Sequence, residues 1–167
     1  MQISDQSTTT QFEALRQVKQ KAAIARISDS LFWGENSNFQ PRQIGEKLAS
    51  NNINISQVRS LENIAFTTLK ISDILDFLKR QVGRDTRKAN WARENIGMQL
   101  IKELENLRSP ANEVANSLSA DASPAVAGDL PRQVHLELCR EYIKHLSAEY
   151  LIKNISTQKY ERNDETY

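Results

Sequence analysis

Residues 56–82 read SQVRSLENIAFTTLKISDILDFLKRQV, and this segment carries the clearest helical pattern in the chain. Apolar side chains recur along it at three- and four-residue spacing, and neither glycine nor proline interrupts it. This spacing places the apolar side chains on one face of an α-helix. Ser56 suits the N-cap, and Gly83 follows the last apolar residue. We therefore predict one long helix from Ser56 to about Val82.

The segments on either side of this helix also show helical periodicity. An Ala-rich pattern from Thr10 to Trp33 ends at Gly34, and Pro41 suits the first position of a short helix over 41–50. Behind the long helix, the same signals predict four further segments: a helix from Thr86 to about Leu107, a short helix from Ser109 to about Leu118, a small-residue loop over 119–129, and a last helix from Pro131 to about Asn154. No segment is long enough and regular enough in its alternation to be a strand. The fold class predicted is all-α, a single-domain bundle of four main helices plus short helices.

The two ends of the chain are polar. Residues 1–9 are predicted to form a disordered leader, residues 10–154 the helical bundle, and residues 155–167 a flexible tail. The chain has 167 residues, enough for one domain with a real core.

Composition limits the classes of protein that the chain can belong to. No apolar run approaches the ~18 residues that a membrane helix needs, so no membrane partner is expected. The first residues lack the basic start and apolar centre of a signal peptide. The single cysteine, Cys139, excludes an internal disulfide. These features are typical of a cytoplasmic protein.

Positive charge is concentrated in residues 79–93, KRQVGRDTRKANWAR. This stretch holds six basic side chains and one acid, a net charge of +5, whereas the whole chain carries only +1. A local basic surface on a nearly neutral protein indicates an anionic partner bound at one place. A solvated junction between two helices is the alternative, because such junctions are polar in most proteins. Charge alone leaves both interpretations open.

Helix ends explain only part of this basic stretch. Lys79 and Arg80 are predicted to lie at a helix C-terminus, where the helix dipole favours cations. Arg84, Arg87 and Lys88 instead flank Gly83 and the start of the next helix, and the dipole disfavours Arg87 and Lys88 in its first turn. A phosphate bound at that N-terminus would remove the conflict.

The candidate nucleic-acid contacts include one basic residue outside residues 79–93, which is Arg59. Trp91 would either stack on a base or pack in the core, and packing is the favoured interpretation. The cations would hold phosphates without reading sequence. The predicted nucleic-acid-binding residues are Arg59, Lys79, Arg80, Arg84, Arg87, Lys88 and Arg93.

The sequence contains no complete catalytic or metal-binding motif. The sequence lacks phosphate-binding loops, dinucleotide fingerprints, nucleophile elbows and zinc-protease motifs. His135 and Cys139 share a helix face, but two ligands do not complete a zinc site, and packing is the favoured interpretation. His145 and Glu149 have the same spacing and the same weakness. We predict no enzyme, no cofactor and no metal.

Acidic pairs occur on two of the predicted helices. Asp73 and Asp76 lie on the long helix, and Glu103 and Glu105 lie on the helix that follows it. Solvated helix faces are favoured over a metal-binding pair for both.

Three short motifs resemble the small helical subunits of CRISPR effector complexes. Residues 44–50, IGEKLAS, are followed by ISQVR at 55–59, which is similar to the start of a long helix in that family. Residues 142–150, YIKHLSAEY, resemble the aromatic-rich last helix of those subunits. The Gly-Gly-Lys ending of many type III subunits is absent, and Lys153-Asn154 stands there instead. This departure argues against a type III-A assignment, whereas a type I-D small subunit would suit the polar ends of the chain.

The resemblance covers roughly residues 41–153 and implies a structural role without catalysis. In that role, CRISPR RNA and target nucleic acid are the partners, together with the backbone and large subunits of the complex. More than one copy per complex is expected. Arg59 is the only basic residue inside a matching motif, so the other cations rest on the charge argument. The alternative from another class is a helical protein–protein adaptor without nucleic-acid contact.

Overall fold

A computed structural model describes residues 4–34, 37–84, 91–120 and 124–164. All regular secondary structure in these ranges is helical, so the all-α prediction is confirmed. None of the helices described combines the length and apolar character needed to cross a membrane. The α-helices are α1 (Ser4–Trp33), α2 (Pro41–Ser50), α3 (Ile55–Thr67), α4 (Ile71–Gly83), α5 (Ile96–Asn106), α6 (Arg108–Ser119) and α7 (Pro124–Asp164), with a 3₁₀ turn at Arg93–Asn95.

Helix α7 is the centre of the fold. It packs against α1, α2, α3, α4 and α6, and its apolar face is fully buried over several turns. Tyr142 and Leu146 are completely inaccessible to solvent, and Tyr150 is 1% exposed. The Tyr150 hydroxyl donates to the carbonyl oxygen of Ile53 at 2.6 Å, which ties the link before α3 to α7.

Helix α2 begins at Pro41 and ends at Ser50, as predicted. Its inward side chains, Ile44 and Leu48, are completely buried. Gly45 lets α2 approach α7 closely: a Cβ atom at this position would lie 2.3 Å from the carbonyl oxygen of Leu146. No other residue fits this crossing without moving the two backbones apart.

The single long helix predicted for residues 56–82 is wrong, because it is divided into α3 and α4. Thr68 and Lys70 adopt extended backbone angles, with ψ values of 154° and 126°. Arg140 of α7 donates to the carbonyl oxygens of Ala65 and Thr68 at 2.9 and 2.8 Å. The last carbonyls of a helix lack partners within it, so a distant arginine satisfies the end of α3. The spacing of apolar residues in this segment does not predict a contact with Arg140.

The N-cap of α3 is Asn54 and not Ser56, so that prediction is also wrong. The Asn54 side chain accepts from the backbone N–H of Ser56 at 2.9 Å. The Gln57 side chain in turn accepts from the backbone N–H of Asn54 at 3.2 Å. This reciprocal arrangement is a capping box, which satisfies two N–H groups at once.

Other helix boundaries differ from the predicted ones. Helix α5 begins at Ile96 after the 3₁₀ turn, so the predicted helix does not run continuously through residues 91–95; its predicted start, Thr86, lies outside the described ranges. Helix α7 already begins at Pro124 and carries Pro131 in its interior, although a loop was predicted up to residue 129. Helix α1 starts at Ser4, before the predicted start of the bundle, and α7 continues to Asp164, past its predicted end.

Candidate nucleic-acid interface

The start of α3 lies beside the end of α4. The side-chain amide of Gln57 donates to the side-chain oxygen of Gln81 at 3.1 Å across this contact. The predicted site residues on the two helices therefore belong to one end of the α3–α4 pair. These site residues are Arg59, Lys79, Arg80 and Arg84, and the side chains of all four are exposed.

The start of α5 reaches the same end of the molecule. A Cβ atom at Gly97 would lie only 2.3 Å from the Cγ2 atom of Val82, near the end of α4. Arg93 is exposed in the 3₁₀ turn just before α5. The structure thus brings Arg93 close to the end of α4 that Arg84 follows.

These cations share one end but not one face. Arg59 and Lys79 each lie two residues from a glutamine at the α3–α4 contact, which turns them about 200° around their helices and away from it. Arg80 instead lines a shallow groove between α3 and α4 together with Asp73 and Asp76. Two carboxylates therefore offset part of its charge. Arg84 and Arg93 are not part of this acidic groove.

Arg84 has a structural role that the sequence did not reveal. Helix α4 includes Gly83, and Arg84 is its C-cap, with its backbone N–H donating to the carbonyl of Arg80 at 3.0 Å. A cation at a helix C-terminus stabilises the helix by about 0.3–1 kcal/mol. The sequence predicted that the helix C-terminus would favour Lys79 and Arg80 but not Arg84. This prediction is wrong for Arg84. Arg80 in the last turn and Arg84 at the C-cap both benefit from this helix end, and Lys79 lies just before the last turn.

The helix start predicted to hold a phosphate is displaced. Arg87 and Lys88 lie outside the described residues, and α5 begins only at Ile96. Their predicted position in the first turn of a helix thus lies outside the described residues, and the first turn of α5 does not contain them. Arg93 is the described cation that adjoins the first turn of α5.

Trp91 lies in the core, as favoured from the sequence. Its side chain is completely buried, so it does not present a ring face on which a base would stack. Its indole nitrogen Nε1 has no hydrogen-bond partner within the described part of the chain. A nucleic acid bound at this end of the molecule would therefore be held by charge and not by stacking on Trp91.

His135 and Cys139 are packing residues of α7. The ring nitrogen Nε2 of His135 lies 2.8 Å from the carbonyl oxygen of Leu104, and the Cys139 thiol donates to the same oxygen at 3.8 Å. Burial lowers the pKa of His135 and raises the pKa of Cys139 to about 12. At neutral pH the imidazole is neutral and the thiol is protonated. Both side chains thus satisfy a carbonyl in the last turn of α5.

His145 and Glu149 also have structural partners. The His145 ring packs edge-on against Phe32 and Trp33, with ring centroids 5.8 and 5.4 Å away. The Glu149 carboxylate pairs with the Arg42 guanidinium at 3.3 Å. These contacts hold the end of α1 and the start of α2 against α7. Across the described ranges, no cluster of three histidine, cysteine or acidic side chains could hold a metal ion.

Glu103 is a buried carboxylate, so the prediction of a solvated acidic pair is wrong for this residue. It accepts hydrogen bonds from the Tyr142 hydroxyl, from the backbone N–H of Gln40 at 2.9 Å and from the Gln99 side chain at 3.2 Å. Burial and the neighbouring carboxylate raise the pKa of Tyr142, so this phenol stays a donor. Glu105 is exposed, as predicted. The position of Glu103 on the apolar stripe of α5 was the signal available in the sequence.

Comparisons with protein-family models, with curated proteins and with solved structures each gave no match. The resemblance to CRISPR small subunits therefore stays a prediction from short motifs.

Proposed function

We propose that this chain is a non-catalytic helical subunit of a CRISPR RNA-guided surveillance complex. Its exposed cations would contact phosphates of the guide–target duplex or of the displaced strand, and its other faces would bridge the backbone and large subunits. The observation that carries the proposal is the gathering of Arg59, Lys79, Arg80, Arg84 and Arg93 at one end of a nearly neutral molecule. The assignment to CRISPR complexes rests on the three short motifs.

Phosphate contact fits the chemistry of these side chains. Guanidinium groups match phosphate oxygens in a bidentate manner, and each pair formed releases counterions from the nucleic acid. The cations come from helix ends and a turn, and no described helix presents them as a row along one face. Contacts of this kind follow the backbone and do not read bases.

We propose a role without catalysis because the potentially reactive side chains make structural contacts. His135 and Cys139 are buried against one carbonyl, and Glu103 is held by three donors. His145 and Glu149 hold helices together. Each of these groups has a structural role that accounts for it.

Alanine substitution at Arg84 and Arg93, two of the cations outside the acidic groove, tests the proposal. We expect the R84A/R93A variant to bind single-stranded or duplex oligonucleotides more weakly than the unmodified protein at low salt. The slope of log affinity against log salt should fall by about 1.5 in magnitude, because each lost phosphate contact removes about 0.7–0.9. Equilibrium binding measured over a range of salt concentrations gives this slope.

The control variant removes the same net charge elsewhere. Lys21 and Lys144 line a groove between α1 and α7, away from the α4–α5 junction. The K21A/K144A variant should keep the slope of the unmodified protein. Equal slopes for both variants would show that overall charge, and not this end of the molecule, determines binding.

A helical adaptor remains the second candidate, because one observation favours it. Phe12, Leu15 and Val18 of α1 are 72%, 54% and 63% exposed. Exposed apolar side chains on one helix are typical of a surface that binds another protein. An adaptor would bind oligonucleotides weakly at both low and high salt, which separates it from the first proposal.

A further inference from the structure

The middle of α1, from Phe12 to Arg26, forms a groove with the end of α6. The groove has a volume of about 880 Å³ and is open to solvent. Phe12 and Leu15 contribute its large apolar side chains, and both are more than half exposed. Ser117 and Leu118 of α6 form the facing wall. The groove lies on helices other than those of the proposed phosphate contacts.

Five of the eight side chains that α1 contributes to the groove have heptad spacing. Phe12, Leu15, Lys19, Ala22 and Arg26 all line the groove, and their spacing alternates between three and four residues. This is the spacing of the a and d positions of a coiled coil, where a second helix packs. Alanine at one d position permits a close approach of a partner backbone. The shape of this face therefore fits a helix.

The charges in the groove favour an acidic occupant. Arg16, Lys19 and Arg26 line it, and among the described residues that do so Glu13 is the single acid. The Nε atom of Arg16 is buried and has no hydrogen-bond partner in the described part of the chain. A buried N–H group without an acceptor is unfavourable, and a carboxylate from a partner would satisfy it.

We propose that this groove binds an acidic amphipathic helix of a partner protein. The apolar a and d side chains of that helix would cover Phe12 and Leu15, and its flanking glutamates or aspartates would pair with Arg16 and Arg26. The exposed phenyl and isobutyl groups favour a protein over a nucleic acid, because phosphates give them nothing to pack against. The proposal does not depend on phosphate contact at the other end of the molecule.

Two synthetic peptides test this proposal. Each is a fluorescent amphipathic helix of about three heptads with leucine at a and d, one with glutamate and one with lysine at the e and g positions. Like charges at e and g keep each peptide from pairing with itself. We expect the glutamate peptide to bind at least about tenfold more tightly than the lysine peptide, as measured by fluorescence anisotropy.

Charge reversal should invert this preference. In the R16E/R26E variant we expect the lysine peptide to bind more tightly than the glutamate peptide, because two attractions become repulsions. The F12S/L15S variant should weaken binding of the glutamate peptide without inverting the preference. The R80E/R84E variant, altered at the end of α4 and not in the lining of the groove, should keep the original preference. Circular dichroism checks that each variant retains its helix content.

Three results would overturn the proposal. The first is an unmodified protein that does not bind the glutamate peptide. The second is a peptide preference that survives the R16E/R26E change. The third is a loss of oligonucleotide binding in that variant with peptide binding intact, which would assign the groove to nucleic acid.

Discussion

Replacing Arg140 with methionine tests whether α7 fixes the boundary between α3 and α4. The Arg140 guanidinium donates to the carbonyl oxygens of Ala65 and Thr68 at 2.9 and 2.8 Å, and its side chain is 16% exposed. Methionine keeps most of the side-chain volume and removes both hydrogen bonds. The substitution therefore isolates the polar contact from the packing.

The size of the effect follows from these two bonds. A hydrogen bond from a charged donor contributes about 1.5–3 kcal/mol, and the lower figure applies because water can reach the end of α3 once the arginine is gone. Two such bonds give about 3 kcal/mol. The contact with Glu137 adds little, because that side chain is 42% exposed. We expect R140M to lower the free energy of unfolding by about 2–3 kcal/mol.

Urea denaturation followed by circular dichroism measures this change. The matched control is R132M, since Arg132 is an exposed arginine on the same helix. We expect the control to change stability by less than about 0.5 kcal/mol. If R140M and R132M had the same unfolding midpoint and the same dependence on urea, the arginine would not fix the break between α3 and α4.

Two further substitutions, together with a control at Gly83, test the packing around α7. Gly45→Ala should destabilise the protein by about 1–3 kcal/mol, because the added Cβ would lie 2.3 Å from the carbonyl oxygen of Leu146, whereas Gly83→Ala meets no atom within 4 Å and should be neutral or stabilising. Equal thermal unfolding temperatures for these two variants would contradict this account. Burial lowers the pKa of His135 below its ordinary 6.5, so the unfolded state takes up the proton first and stability should fall as pH drops through about 6.5. Urea titrations at about pH 7.5 and about pH 5.5 should show a smaller loss for His135→Gln; an equal loss would assign the pH dependence to other groups.

Local signals in the sequence predicted the elements that depend on local interactions. Pro41 marked the first residue of α2, and the spacing of Ile44 and Leu48 identified its buried face. Gly34 marked the end of α1. Trp91, at the start of an apolar stripe, was favoured as a core residue and is completely buried.

The features that the sequence did not predict depend on contacts between residues far apart in the chain. The break between α3 and α4 depends on Arg140, which lies more than seventy positions further along the chain. The carboxylate of Glu103 is buried because Tyr142 and the backbone of Gln40 donate to it. Neither partner is visible in the periodicity of the segment concerned.

The candidate interface was predictable as a charge cluster but not as a surface. The sequence identified Arg80, Arg84 and Arg93 as exposed cations, and the structure brings them to one end of the molecule. The sequence could not show that Arg80 shares a groove with two aspartates or that Arg84 is the C-cap of α4. These details depend on how α3 and α4 pack, which the charge pattern does not encode.

Purification of the protein at low salt from the cells that encode it tests the central claim most directly. The co-eluting proteins and nucleic acids would be identified by mass spectrometry and sequencing. We predict that the chain elutes in a multi-subunit complex that contains a short RNA, and that substitution of Arg84 and Arg93 weakens target binding by that complex. Elution with protein partners alone, with no nucleic acid at any salt concentration, would contradict the account.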